Sequence, residues 1–215
     1  MPRNRLKLAE LAQRHWCLHG EQVVWAEGPA GHVGSTVGTT HRAPHAPIGQ
    51  VPAADVSPPE WPLPTSSIGS GQFYRDEWAH DPAIWGWAHA NQPAQAAVRW
   101  ADLFATGRDE GWLLLSNRRL AIVIETRFVS PEPPPPGGLL GRVRTRASEP
   151  TRPPFATWWE APVGTIHRFT AAPLGRLVQP EWFVGVEFRD GSAFSFRDPN
   201  AEQSVRTAYA NLRTP

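Results

Sequence analysis

The side chains in this 215-residue chain best suited to chemistry fall into three groups. Arg142, Arg144 and Arg146 alternate, so an extended backbone sets three guanidinium groups on one side, where bidentate forks can hold phosphate oxygens. The competing reading is a solvated loop kept soluble by its charge, since only Lys7 among the 21 basic residues is lysine and arginine is the default cation here. His15, Cys17 and His19 form an H-x-C-x-H cluster. On a strand all three share a face; on a helix the two histidines do, at i and i+4. No further ligands stand at the spacing of a structural metal site, so the alternative is a helix end with a buried cysteine and polar imidazoles. Trp78, Trp85 and Trp87, with Trp100 beyond them, offer an aromatic cradle for a partner or else core packing.

Other chemistries find no support. There is no G-x-S-x-G turn, and the glycine pairs at 69–71 and 107–111 lack the Lys-Ser/Thr of a phosphate-cradling loop. Asp76-Glu77 and Asp109-Glu110 are adjacent in sequence and need not converge. The expectation is therefore a non-catalytic protein without a cofactor, with a metal- or thiol-dependent enzyme at His15, Cys17 and His19 as a remote alternative. A net charge of +1 argues against nucleic acid as a partner. A single cysteine rules out an intramolecular disulfide. The first twenty residues hold no apolar run of about 7–15 residues, and no run approaches the roughly 20 needed to span a bilayer, so a cytoplasmic location is expected.

Stepping from side chains to elements, residues 4–16 read as an amphipathic helix capped by Asn4, and 21–26 as a short strand. Residues 28–72 hold eight prolines and seven glycines but three charged side chains, and read as a long irregular loop. A Trp-rich helical part follows at 73–107, its helix running over 92–106 between Asn91 and Gly107. Trp112–Leu115 and Leu120–Glu125 flank the turn Ser116-Asn117-Arg118-Arg119 as a hairpin. A second irregular stretch, 130–155, opens on Pro131 and carries the arginine cluster; strands resume at 156–161 and 165–170. The C-terminal hairpin is the sharpest signal. Only a three-residue loop, Arg189-Asp190-Gly191, pairs Val186 with Phe194 and Val184 with Phe196 and so keeps both phenylalanines on the apolar face. Asp198-Pro199 then opens a helix with Ala201, Val205, Ala208 and Leu212 along one stripe.

The pieces GWLLLSNRRLAIVIE, WWEAPVGTIHRF, FVGVEFRDGSAFSF and DPNAEQSVRTAYANLR, preceded by GEQVVWA, resemble the bacterial pleckstrin-homology-like (PH-like) and GRAM-like domains. The resemblance implies an α+β, mainly β fold: a seven-stranded, bent antiparallel barrel capped by the C-terminal helix. Residues 1–19 would form a separate helix. The domain at 20–215 would be interrupted by an insertion at 28–110 and by the Pro/Arg-rich loop. It also implies a binding module; the expected partner is another protein or a second copy of this chain, engaged through strand edges or through the Trp-bearing insertion with Trp78, Trp85 and Trp87. The runner-up is recruitment to anionic lipid headgroups. Strand alternation brings both Pro-rich stretches and the 92–106 helix to one end. The family places the turn at Arg189 there too, which adds Arg189 to Arg142, Arg144 and Arg146 and leaves Arg118 and Arg119 at the other end.

Overall fold

The computed structural model describes residues 5–129, 153–176 and 179–212. Its first half contains α1 (Arg5–His15), β1 (Val23–Glu27), β2 (His32–Val37), β3 (Thr40–Arg42), a one-turn α2 (Ser66–Gly69), β4 (Ile84–Ala90) and α3 (Ala96–Gly107). The second half adds β5 (Gly111–Ser116), β6 (Arg119–Glu125), β7 (Phe155–Pro162), β8 (Ile166–Leu174), β9 (Glu181–Phe188), β10 (Ala193–Arg197) and α4 (Ala201–Leu212). The fold is α+β and mainly β, closing on a C-terminal helix. It is not a seven-stranded closed barrel: the strands form a four-stranded sheet, β1-β5-β6-β7, and a six-stranded sheet, β3-β2-β4-β10-β9-β8.

The four-stranded sheet follows from its sequence. Leu113, Leu115, Leu120 and Ile122 face the six-stranded sheet, while Trp112, Leu114, Ala121 and Val123 face Leu8 and Ala12 of α1 and Trp16 just beyond it. Burial on both faces is why β5 and β6 read as near-continuous apolar runs rather than alternations. The hairpin closes with Leu115 opposite Leu120, and the Ser116 hydroxyl accepts the amides of Arg118 and Arg119.

The six-stranded sheet departs from the sequence reading. Its β8-β9-β10 half forms as expected, with Val186 opposite Phe194, Val184 opposite Phe196, and Gly191 at φ +83° in the turn. The other half comes from residues read as loop and helical insertion. β10 pairs on its far side with β4, Phe196 opposite Gly86, and β4 pairs in parallel with β2. A parallel pair needs a long crossover, so no local hairpin signal announces it. β2 (HVGSTV) carries little apolar surface of its own; it is covered by Trp87, whose ring lies over Gly34 so closely that a Cβ there would sit 2.1 Å from it. Trp87 also donates its indole N–H to Thr36 Oγ1.

Between the sheets, Trp100, Leu103 and Phe104 of α3 meet Trp85, Phe188, Phe194 and Phe196. The α4 stripe docks on the same core with Ala201 and Ala208 buried and Val205 and Leu212 partly so. The start of α3 corrects the expected one. The helix begins at Ala96, not 92, because Gln95 Oε1 takes the amides of Asn91 and Gln92. Its first free amides are satisfied from outside: Ala96 N–H donates to Asp190 Oδ2, and Ala97 N–H to Ser192 Oγ.

Candidate functional site

Where β7 turns into β8, the corner Val163-Gly164-Thr165 leaves a groove of about 380 Å³ between the ends of the two sheets. Trp159, Ala161 and Phe188 supply apolar walls, the start of α3 closes one side through Ala96, and Arg189 and Asp190 stand at the rim. Trp159 is half-buried and fixed by edge-on contacts with Trp100 and Phe188 at 5.4 and 6.4 Å. The two rim charges differ in availability. Asp190 accepts from Ala96 N–H, Ser192 N–H and the Ser192 hydroxyl; burial opposes its ionisation, but these hydrogen bonds outweigh it and hold the carboxyl below its ordinary range. Arg189 is exposed and gives its Nε–H to the Gly164 carbonyl, leaving its terminal nitrogens facing solvent. The groove thus combines an apolar floor with one accessible cation.

Arg189 is not at the end where it was expected. Its amide donates to the Thr165 carbonyl, and the same corner binds the Arg118 carbonyl through Val163 N–H. Arg189 therefore shares an end with the 116–119 turn. The reason is plain strand alternation, against the placement the resemblance implies: β7 returns to that end at Pro162, opposite Arg119, and β8 and β9 run out and back before the Arg189 turn. At the opposite end Ala54, in the first Pro-rich stretch, bridges Val129, and Asp55 N–H donates to the Phe128 carbonyl; residues 130–152 of the second stretch lie outside the described residues. Arg142, Arg144 and Arg146 lie outside the described residues. Trp78, Trp85 and Trp87 do not form an exposed cradle. They are 1%, 2% and 0% exposed, with Trp78 stacked on Trp87 at 5.0 Å and Trp85 on Phe196 at 5.5 Å.

His15, Cys17 and His19 follow the C-terminal end of α1 onto its exit turn, both imidazoles exposed and the thiol half-buried. Burial and the nearby Glu21 charge push the thiol up to about 11 against the pull of Arg119, so it stays protonated and weakly nucleophilic near neutrality. Among the described residues no three His, Cys, Asp or Glu side chains are grouped to hold a metal ion. The residue that organises this region is Glu21. Its side chain is wholly buried, accepts from the Ser116 hydroxyl and Arg119, and is held ionised: burial opposes the charge, and the hydrogen bonds from Arg119, Leu18 N–H and Ser116 overcome it. Arg119 in turn stacks on Trp16 at 4.0 Å and pairs with Glu160.

One constellation escaped the sequence reading. Ser35 Oγ lies 2.7 Å from His45 Nδ1, and His45 Nε2 lies 2.8 Å from Asp102 Oδ1. Burial holds the His45 ring below its ordinary pKa despite Asp102, so the ring is neutral: Nε2–H donates to the carboxylate and Nδ1 accepts the serine proton. Asp102 also accepts the amides of Ile48 and Gly49. The residue types are those of a hydrolytic triad, but Ser35 is 0% exposed, so no substrate reaches its hydroxyl. The set is a buried polar tie joining β2, the following loop and α3. A histidine and an aspartate 57 residues apart in sequence gave no local signal of it.

Against known proteins, the chain matches no family model, no curated protein and no solved structure. No helix among the described residues is long and apolar enough to cross a membrane.

Proposed function

We propose that this chain is a non-catalytic binding module of PH-like type that engages a protein segment, from a foreign partner or a second copy of itself, in the β7–β8 corner groove. Strand order supports the type: β1-β5-β6-β7 in one sheet, β8-β9-β10 consecutive in the other, then a helix docked on the core, is the succession the resemblance implies, with β2, β3 and β4 added beside β10. The observation that carries the reading is the groove itself. It offers a half-buried tryptophan, a buried phenylalanine and one exposed guanidinium, while the one acid among its described lining residues, Asp190, is engaged by the α3 cap. Such a lining fits one or two apolar side chains flanked by a carboxylate. A random peptide library selected on the full chain tests this. Peptides pairing an apolar with an acidic residue should be enriched, lose binding to Ala161→Trp, and weaken about tenfold with Arg189→Glu. Enrichment of no sequence, or binding indifferent to both changes, overturns the reading. Sedimentation across concentration then separates a foreign partner from self-association.

A further inference from the structure

A second cavity, of about 340 Å³, lies between β2, the C-terminal end of α3 and the Pro-rich segment that crosses them. Its walls are flat and apolar: Pro58, Pro59, Trp61 and Phe104 contribute, and the Trp61 ring meets His32 edge-on at 5.4 Å. Its polar lining is His32, His45 and Arg108, with no acidic residue. His45 is committed to Ser35 and Asp102. His32 faces the backbone carbonyls of Trp61 and Pro62, and burial holds its ring below the ordinary pKa and so neutral. Arg108 gives one nitrogen to the Val56 carbonyl, and no carboxylate among the described residues pairs with it. A guanidinium without a counter-ion on an otherwise apolar wall attracts an anion. The walls are held in place before any ligand arrives, because α3 grips the crossing segment's backbone through Asp102 (Ile48 and Gly49), Arg99 (Gln50) and Arg108 (Val56).

We infer that this cavity binds a small organic monoanion with a flat apolar body, its carboxylate on Arg108 and its body against His32, Trp61 and the prolines. The volume is at the lower end for ligand cavities, which suits a single-ring acid rather than a nucleotide or a lipid. The site is separate from the β7–β8 groove and does not depend on its role.

Phenylacetate and benzoate, titrated into the full chain, are the probes, with phenylacetamide as the neutral isostere and the His32 imidazole resonances (assigned with His32→Gln) as the readout. Saturable shifts at His32 with a Kd of about 1 mM or tighter are expected, as for so few ligand atoms. Phenylacetamide should bind about tenfold more weakly, and Arg108→Gln should weaken the acids by a similar factor while Arg108→Lys largely restores them. Failure of both acids to saturate at about 20 mM overturns the site, as does equal binding of the amide. The acid–amide comparison needs no variant and so stands even if Arg108→Gln does not fold. Binding of the β7–β8 peptides is expected to be unchanged by either acid.

Discussion

The two sheets of this protein are stabilised by different means. The four-stranded sheet is a chain of near neighbours: β5 and β6 are joined by a tight turn, and Leu113, Leu114, Leu115 and the stretch from Leu120 to Ile124 are fully buried on its two faces. The β2–β4 half of the six-stranded sheet has Gly, Ser and Thr where the other has leucine. It is joined by a parallel ladder and secured by a few polar residues, above all Asp102. An apolar face spreads its stabilisation over many contacts, whereas a buried polar tie concentrates it in groups whose partners cannot be replaced by water.

That contrast can be broken at its sharpest point by Asp102→Ala. The substitution leaves His45 Nε2–H and the Ile48 and Gly49 amides without their acceptor inside the protein, and should cost about 3–5 kcal/mol in denaturant unfolding. Hydrogen exchange should show protection lost first in β2 and at Ile48, with the β5–β6 amides the last to open. Equal loss in both sheets would contradict a local tie. Glu21→Ala is the counterpart on the other sheet. It orphans Ser116 and Arg119, but Arg119 keeps Glu160 and partial solvent access, so a smaller loss of about 2–3 kcal/mol is expected.

Acidification separates the two sheets by their titrating groups. The folded state holds His45 neutral below its ordinary pKa, so the unfolded chain binds the extra proton. The contribution is complete above about pH 6.5 and falls as pH drops below that. His32 and His89 are also held low by burial and act in the same sense, so His45→Gln should remove only part of this slope. Glu21 has the opposite sense of origin, a carboxyl held low, and its contribution persists through that window and is lost only as pH falls through the carboxylate range. Thermal melts at pH 7, 6 and 5, read by hydrogen exchange in each sheet, give the smallest of the three effects.

What could be read from the sequence follows the same division. The β9–β10 register was fixed by the requirement that Phe194 and Phe196 share a face with Val184 and Val186, and the α4 stripe by its i, i+4, i+7, i+11 spacing; both concern residues near one another in the chain. β2 and β3 were invisible because their burial depends on Trp87 and on a parallel partner some fifty residues away, so that a Gly-Ser-Thr run bounded by prolines looked like loop. The α3 cap was misplaced because the capping carboxylate, Asp190, is ninety-four residues downstream. Of the groove, Arg189 was singled out, but its end of the molecule was taken from the resemblance, whereas alternation through β7, β8 and β9 returns that turn to the 116–119 end. The tryptophans were noticed for their number, and only their burial shows that Trp78, Trp85 and Trp87 are structure while Trp159 borders open space.

The pairing of β4 with β10 has a consequence for synthesis. Strand residues 84–90 leave the ribosome long before 193–197, at roughly 5–20 residues per second, and their inner-edge partner does not yet exist. Until it emerges, Trp85 lacks Phe196, and α3 lacks the aspartate that terminates it. The nascent chain therefore carries Trp85 without its Phe196 partner for several seconds, and only the emergence of β8, β9 and β10 completes the six-stranded sheet. A truncation removing the final hairpin would leave β4 an open edge flanked by tryptophan, the kind of surface chaperones hold and aggregates nucleate on.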